Sequence, residues 1–328
     1  MKRIFFAIVP AILIAGCAGG STAVVTPATT MARPPWYRQA PAALRKGVYI
    51  AEYFTSEILG YAWATRKNIP PVCAIPGTYV VDVATDKSGN LIDPDGGGRT
   101  VTVFRGPQMC GPKIGSFTDN DGQPSDAATS DATAGTIYVA NIQATGKPYG
   151  NVSVCTLAGG CSAVLSSHAI GGELFSVAED AQGNVYSSGY PQASGSGPGS
   201  GASLVLWKNG KGKGVRIAAY RNSTPGGLEV DAKNELLALD TFAPALWVYT
   251  GCPAKCTAHG PFALKGETVF GKLDAKLGTF EAADVEYGQV DVYRYAGTKG
   301  VTYLYSYSNG LTPSGDVEGI AIDPAAAN

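Results

Sequence analysis

A weak internal repeat of about 47 residues is the feature that most constrains the fold of this chain. Each copy starts at a small or acidic residue, runs through a short strand ending in Asp, turns at Gly or Asn, and enters a second strand. A third strand follows and ends in an aromatic residue. The clearest copies cover residues 81–92, 175–186 and 227–237, and poorer ones cover 126–140 and 280–293. The third strands are predicted at 101–104, 204–207, 246–249 and 301–305.

The two ends of the repeat region complete one another. Residues 318–324 have the pattern of a first strand with nothing after it, and residues 48–53 that of a second strand with nothing before it. A ring of blades closes in this way, because the last strand then supplies the inner strand of the blade that the first strands begin. The sequence predicts an all-β, six-bladed β-propeller over residues 47–328, with N- and C-terminal strands closing one blade. A seven-bladed ring or a β-sandwich is the alternative.

Composition agrees with a turn-rich β fold and excludes some partners. The 328 residues include 43 Gly and 21 Pro, and 45% are hydrophobic, which is enough for a core. The 25 basic and 26 acidic residues nearly cancel. This balance argues against a nucleic-acid or polybasic membrane partner, so we expect no nucleic-acid binding. We also expect a monomer.

The first residues have the pattern of a targeting signal. Lys2 and Arg3 precede the apolar run Ile4–Ile14, which is too short to cross a bilayer. The run ends in Ile14-Ala15-Gly16-Cys17, which resembles the lipobox of bacterial lipoproteins. That resemblance implies a signal peptide over residues 1–16 and lipidation of Cys17, with an ordinary secretory signal as the alternative.

The lipoprotein resemblance also implies a location and one partner. Several acyl chains on Cys17 would hold the protein at a membrane. Ala18 follows the cysteine and favours export to the outer membrane, so we expect a lipid-anchored, extracytoplasmic protein of the bacterial cell envelope. Residues 17–46, rich in Ala, Thr, Pro and Gly, would form a flexible tether.

Six cysteines follow Cys17, and export favours disulfides between them. Local spacing pairs Cys155 with Cys161 and Cys252 with Cys256, each closing the turn into a fourth strand. Cys73 and Cys110 remain and are predicted to bridge successive blades. The alternative is a zinc site in which Cys252 and Cys256 act together with His259.

Two short motifs carry a resemblance to a known family. Gly319-Ile320-Ala321-Ile322-Asp323-Pro324 and Asp180-Ala181-Gln182-Gly183-Asn184-Val185-Tyr186 resemble NHL and SMP-30/gluconolactonase-type six-bladed propellers. By analogy with other propellers, binding is expected where loops from the fourth strand to the next inner strand meet loops between second and third strands.

Polar residues occur at the strand ends that would form this binding face. The starts of inner strands carry Asp82, Asp126, Glu173, Glu281 and Glu318. The ends of second strands carry Glu52, Asp93, Asn141, Asp240 and Arg294. Acidic residues at strand ends also serve as turn formers and as partners of loop amides, which is the alternative role for this set.

The family resemblance suggests one further role for three of these residues. In SMP-30-like lactonases a Glu, an Asn and an Asp hold a divalent metal, and Glu318, Asn141 and Asp240 occupy corresponding positions, with Asp240 also as base. Oxygen ligands of this kind suit calcium, magnesium or manganese, although no cofactor is certain. The sequence favours an envelope lipoprotein whose propeller is a non-catalytic binding module for an unknown protein or small-molecule ligand. A metal-dependent lactonase-type hydrolase is the alternative.

Overall fold

The computed structural model describes residues 47–63, 66–67, 70–106, 109–130, 135–147, 149–166, 172–191 and 201–323. The predicted signal peptide, Cys17 and the tether up to residue 46 lie outside these ranges. No helix in these described ranges is long and apolar enough to span a membrane.

The described strands form six antiparallel sheets of four strands each, which we call blades 1 to 6 and describe from the inner strand outwards. Blade 1 consists of β24 (Val317–Ile322), β1 (Gly47–Glu52), β2 (Glu57–Ala62) and β3 (Cys73–Pro76). Blade 2 consists of β4 (Ala84–Thr85), β5 (Leu91–Asp95), β6 (Thr100–Phe104) and β7 (Lys113–Thr118). Blade 3 consists of β8 (Gly122–Thr129), β9 (Thr136–Ala144), β10 (Asn151–Thr156) and β11 (Gly160–Ser166).

The remaining three blades follow the same order. Blade 4 consists of β12 (Leu174–Glu179), β13 (Val185–Gly189), β14 (Ser203–Trp207) and β15 (Val215–Arg216). Blade 5 consists of β16 (Leu228–Val230), β17 (Leu236–Asp240), β18 (Ala245–Thr250) and β19 (Thr257–Ala263). Blade 6 consists of β20 (Thr268–Asp274), β21 (Thr279–Asp284), β22 (Gln289–Tyr295) and β23 (Val301–Tyr307). The prediction of an all-β, six-bladed propeller is confirmed.

Blade 1 is built from both ends of the described chain. The inner strand β24 pairs antiparallel with β1, with Ile322 opposite Val48 and Ile320 opposite Ile50. Gly319 allows blade 1 to approach blade 2 closely, since a Cβ atom at this position would lie 2.5 Å from the Cα of Asp82.

The repeated Asp of the sequence motif holds the turn between the first and second strands. Oδ1 of Asp180 accepts hydrogen bonds from the backbone amides of Gln182 at 3.0 Å and Asn184 at 2.9 Å. Asp86 and Asp231 make the same pair of bonds in blades 2 and 5. This arrangement is an Asx turn, which explains why Asp recurs at this position in these three copies.

Apolar side chains fill the spaces between adjacent blades. Val177 of blade 4 packs with Val152 of blade 3 in one such layer, which also contains the fully buried Trp207. Phe280 and Tyr293 of blade 6 pack on Leu246 of blade 5 in another. The core is therefore a set of layers between sheets, because each blade buries its side chains against its neighbours.

The predicted cysteine pairs are all present as disulfides. Cys73 at the start of β3 bonds to Cys110 between β6 and β7, so this bridge joins blades 1 and 2. Cys155–Cys161 joins β10 to β11, and Cys252–Cys256 closes the turn between β18 and β19. The alternative of zinc binding by the last pair is wrong, because both sulfur atoms are in the disulfide.

The predicted strand order of blade 6 is wrong by one strand. Residues 301–305 were expected to be a third strand but belong to β23, the outer one. Residues 280–293 cover β21 and β22, the second and third strands, because the true inner strand β20 was not recognised. Gly271 and Lys272 interrupt the apolar pattern of β20 and hide it from a search for alternating residues.

Candidate functional site

The propeller has two faces, which we define by their turns. The upper face carries the turns between second and third strands and the connections from each fourth strand to the next inner strand. The lower face carries the turns between first and second and between third and fourth strands. Most predicted site residues lie at or near the upper-face ends of strands, namely Glu52, Asp93, Asn141, Glu173, Asp240 and Glu318.

Glu281 and Arg294 do not belong to this group, so their assignment to the binding face is corrected. Glu281 lies near the start of β21, two residues from Thr279, which pairs with Arg294 near the end of β22. Both side chains are therefore on the lower-face half of blade 6. The error follows directly from the missed inner strand β20.

Asp82 and Asp126 lie deeper, at the centre of the ring, and both are fully buried. Oδ1 of Asp82 accepts a hydrogen bond from the amide of Ile320 at 2.9 Å, and Oδ2 of Asp126 accepts one from the amide of Val177 at 2.8 Å. These carboxyl groups thus satisfy amides on the free inner edges of neighbouring blades. Their main role is to hold inner strands together.

A half-buried ion pair lies beside these two carboxyl groups. Nζ of Lys272 on β20 lies 3.1 Å from Oε2 of Glu229 on β16. Burial and the nearby charge of Asp126 raise the pKa of Asp82 well above its usual range, and burial also raises the pKa of Asp126. Inner strands of blades 2, 3, 5 and 6 therefore meet through ionisable groups.

Asp240 accepts hydrogen bonds from the loop that leads into blade 5. Its carboxylate accepts hydrogen bonds from the amides of Ser223 at 2.6 Å and Thr224 at 3.1 Å. The hydroxyl groups of the same two residues also donate to it, at 2.9 and 2.6 Å. Asp240 thus acts in this structure as the anchor of a loop.

Asn141 is bound in the seam between blades 2 and 3. Its Nδ2 lies 2.7 Å from Oδ1 of Asn151, 3.0 Å from Oγ of Ser153 and 3.1 Å from Oδ2 of Asp119. No hydrogen bond within the described ranges joins Asn141, Asp240 and Glu318 to one another or to a shared partner. Two of the three predicted metal ligands, Asn141 and Asp240, are therefore held in separate hydrogen-bond networks.

Aromatic residues from several blades converge at the upper end of the central axis. Val81, Val269 and Phe270 form a buried apolar cluster on which Tyr53, Tyr79, Phe175 and Val285 pack, and we call these seven residues the mouth cluster. They belong to blades 1, 2, 4 and 6 or to their upper turns. Residues of blades 2, 4 and 6 can touch only near the axis of the ring, so the cluster lies at the upper end of this axis.

The rings of the mouth cluster have defined geometry. Phe175 stacks on Phe270 with ring centroids 5.4 Å apart. The hydroxyl of Tyr53 donates to that of Tyr79 at 2.8 Å, and their rings meet edge to face at 4.9 Å. Phe54, half of whose surface is exposed at 51%, meets Tyr53 edge to face at 5.0 Å.

β-Bulges at the upper ends of inner strands position several of these side chains. Val317 pairs with Glu52 and Gly319 with Ala51, so Glu318 is the extra residue of a bulge in β24. Phe175 holds the same position in β12, where Leu174 and Ser176 pair with consecutive residues of β13. A bulge turns its extra residue away from the regular sheet, and here it supplies a carboxyl group and a ring to the axis.

Three carboxyl groups lie beside the aromatic rings, and we call Glu52, Asp316 and Glu318 the acidic triad. Oδ1 of Asp316 accepts hydrogen bonds from the amides of Phe54 and Thr55, while its Oδ2 is buried without a partner in the described structure. Glu52 accepts hydrogen bonds from the amide of Thr312 at 2.6 Å and the hydroxyl of Thr55 at 3.1 Å.

Burial and mutual repulsion make the triad difficult to ionise. Burial, followed by the charge of Asp316, raises the pKa of Glu318 to about 8. Burial raises the pKa of Glu52 to about 7, and Asp316 adds to that rise. Burial is the main cause of the raised pKa of Tyr53 and of Tyr79, and the charge of Glu318 adds to both rises.

A second feature of the upper face is polar and basic, whereas the mouth is aromatic and acidic. An open cleft of about 360 Å³ between blades 2 and 3 is lined by polar groups, among them Arg99, Gln123, Gln143 and Lys147. Arg99 donates to the hydroxyl of Thr145 at 3.2 Å. This cleft contains no aromatic or acidic side chain.

The sequence did not point to the aromatic part of the mouth. Tyr53, Tyr79 and Phe175 are far apart along the chain, and only the closure of the ring brings them together. Glu318 was identified from the start of its strand. Asp316, two residues earlier, could have been found as a second acidic residue at the same strand entrance.

Comparison with known proteins supports the fold and leaves the chemistry open. No known family profile matches the chain, and no curated protein sequence matches it significantly. A chain of a nidogen/laminin complex is 15% identical, with coverage of 85% of this chain and 98% of that chain and a TM-score of 0.64. A Bacteroides caccae protein of unknown function is 10% identical, with coverage of 85% and 99% and a TM-score of 0.59.

An enzyme is also among the similar structures. A luciferin-regenerating enzyme is 14% identical, with coverage of 74% of this chain and 80% of that chain and a TM-score of 0.53. Identities this low show a common fold alone, because one propeller architecture carries many unrelated activities.

Proposed function

We propose that this chain is a lipid-anchored protein of the bacterial envelope whose propeller binds a ligand or a protein partner at the mouth, without catalysis. The observation that carries the proposal is the juxtaposition of Tyr53, Tyr79 and the half-buried Glu318. Aromatic rings beside a few polar groups are the usual composition of a ligand site.

The orientation of the chain supports this role. The predicted tether joins the propeller at Gly47, which pairs with Ala62 at the lower-face end of blade 1. The mouth is at the opposite face, beyond the turn where Glu52 pairs with Glu57. An anchor at Cys17 would therefore leave the mouth directed away from its own attachment point.

Ligand-detected NMR on the purified full chain in detergent tests the binding role. Fragments of cationic, neutral and anionic classes would be screened against the wild type and Tyr79→Leu. Tyr303→Leu is the matched control, because Tyr303 lies on the outer strand β23 and is 44% exposed. We expect at least one class to bind and to lose binding in Tyr79→Leu alone. Absence of binding in all classes, or equal binding by both variants, would contradict the proposal.

The alternative function is a metal-dependent, lactonase-type hydrolase. In its favour, Glu318, Asn141 and Asp240 all lie at upper-face strand ends, and a luciferin-regenerating enzyme shares the fold. Metal binding would require Asp240 to leave some of its Ser223 and Thr224 partners. Stoichiometric calcium, magnesium or manganese in the purified chain, together with lactone hydrolysis lost in Asp240→Ala, would favour this alternative.

A further inference from the structure

The acidic triad lacks a compensating positive charge. No lysine or arginine within the described ranges forms an ion pair with Glu52, Asp316 or Glu318. Asp316 is only 1% exposed, and its Oδ2 has no hydrogen-bond partner in that part of the chain. A buried carboxylate oxygen without a donor is costly, so this position is suited to a donor that comes from outside the chain.

The spacing of the triad argues against a metal ion as that donor. Among the described residues, the only set of three His, Cys, Asp or Glu ligand atoms that all lie within 4.8 Å of one another is Asp119, Cys155 and Cys161. The two cysteines of that set form a disulfide. The triad oxygens are therefore too widely spaced to share one ion with bonds of about 2.3–2.6 Å. A larger cation with several N–H donors can reach more than one of them.

The neighbouring rings supply the second half of a cation site. Tyr53 meets both Phe54 and Tyr79 edge to face, with interplanar angles of 81° and 71°. Ring faces attract ammonium and guanidinium groups. In the described structure the cation–π contacts involve Trp63, Tyr287, Tyr303 and Tyr305. The faces of Tyr53, Phe54 and Tyr79 are therefore not occupied by a described cation of this chain.

We propose that the group bound at the mouth is an organic cation, an ammonium or guanidinium group held between Glu318, Asp316 and the rings of Tyr53, Phe54 and Tyr79. This inference rests on the proposed binding function of the mouth and assigns the chemistry of its ligand. The cation comes either from a free small molecule or from a lysine or arginine side chain of a protein partner. The two sources share the chemistry and differ in the probe that binds.

Isothermal titration calorimetry on the full chain in detergent, near pH 9 and at constant salt, tests the inference with three probes. Butylammonium represents a free organic cation with N–H donors, and 1-butanol is its uncharged counterpart. A pentapeptide with one Arg and one Lys between glycines represents a partner side chain, and its ends are acetylated and amidated so that they carry no charge. We expect butylammonium or the peptide to bind at least about tenfold more tightly than 1-butanol, since charge and ring faces both contribute.

Variants then locate the binding. Glu318→Gln and Tyr79→Leu should each weaken binding of the cation about tenfold. Glu179→Gln is the matched control, because it removes the same charge at the lower end of inner strand β12, and its affinity should stay within about twofold of wild type. Thermal unfolding checks that each variant folds, and Glu52→Gln replaces Glu318→Gln if the latter does not.

The possible outcomes are distinct. Tighter binding of butylammonium identifies a small-molecule source, and tighter binding of the peptide identifies a protein side chain. If neither cation binds more tightly than 1-butanol, or if Glu318→Gln keeps full affinity, the inference is overturned. If neutral or anionic fragments bind at the mouth in the NMR screen while both cations do not, the binding function stands and the cation assignment is wrong. If nothing binds there, both are wrong.

Discussion

Arg66, in the loop after β2, donates a hydrogen bond from Nε to Oε2 of Glu281 on β21 at 3.3 Å, and its Nη2 bonds to Oε1 of the same carboxylate. This ion pair is buried and joins blade 1 to blade 6. The hydroxyl of Tyr307 also donates to Oε2 of Glu281, at 2.9 Å. The junction between the first and last blades in the chain therefore contains a buried charge pair in addition to apolar packing.

Removal of Arg66 should strongly destabilise the protein. Arg66→Ala leaves the buried carboxylate of Glu281 without its cation, so we expect a loss of about 3–5 kcal/mol in the free energy of unfolding. Urea denaturation of the full chain measures it. Lys67→Ala, which changes the adjacent exposed cation, should cost under about 1 kcal/mol. The double variant Arg66→Met with Glu281→Leu should recover part of the loss. A loss below about 1 kcal/mol in Arg66→Ala would contradict this role.

The interblade disulfide should contribute more to stability than a local one. Cys73 and Cys110 are 37 residues apart in sequence, and Cys252 and Cys256 are 4 apart. A longer loop restricts the unfolded chain more when it is closed, so Cys73→Ser with Cys110→Ser should cost about 2–4 kcal/mol. The corresponding double substitution at 252 and 256 should cost about half as much. Equal losses, measured by urea denaturation without reductant, would not fit this explanation.

Stability should fall as pH rises through neutrality. Burial raises the pKa of Glu52, Asp93 and Asp284 to about 7 and that of Glu318 to about 8 in the folded protein. Unfolded carboxyl groups titrate near pH 4, so between about pH 4 and 8 the folded state binds more protons and its stability decreases with pH.

Scanning calorimetry of the full chain checks this expectation. The unfolding midpoint should be higher by about 5 °C or more at pH 5.5 than at pH 8.5. Glu318→Gln should reduce the difference, because glutamine cannot ionise. A midpoint that rises over this interval would show that these carboxyl groups are not buried as described.

Substitution of Asp240 should act on stability and not on metal affinity. Asp240→Ala removes the acceptor for Ser223 and Thr224, so we expect a loss of about 1–3 kcal/mol in urea denaturation. Addition of calcium, magnesium or manganese to the wild type should leave the unfolding midpoint unchanged, since a ligand of the folded state would raise it. A midpoint raised by one of these metals, with the effect lost in Asp240→Ala, would support the hydrolase alternative.

Features that depend on residues close together in the chain, such as turns and short-range disulfides, could be predicted from the sequence. Asp86, Asp180 and Asp231 could be found because an Asx turn needs its acceptor at one fixed position. Disulfide partners followed from short spacings. The inner strand β20 was not predicted because Gly271 and Lys272 break its alternating apolar pattern. Contacts with other blades stabilise this strand. Lys272 in particular is placed there by Glu229, a partner from another blade.

The mouth could not be predicted for a related reason. Glu318 and Phe175 reach the axis through β-bulges, and a bulge depends on the pairing of two strands and not on one segment. Asp240 and Asn141 occupy the expected strand ends, but their side chains bind local loops that the sequence did not reveal. The ends of strands were predictable, whereas the directions of their side chains were not.

The most direct measurement of the binding account is the number of protons released when the tighter-binding cation, butylammonium or the pentapeptide, binds. Near pH 7.5 most Glu318 carboxyl groups are protonated, because their pKa is about 8, and a bound cation favours the ionised form. A tenfold effect of Glu318 on affinity means that binding lowers its pKa by about one. Calorimetry of the full chain in buffers of different ionisation enthalpy should therefore show release of about half a proton by the wild type and a clearly smaller release by Glu318→Gln. Equal proton release by the two proteins, or binding of neither cation by the wild type, would contradict an organic-cation site at the mouth.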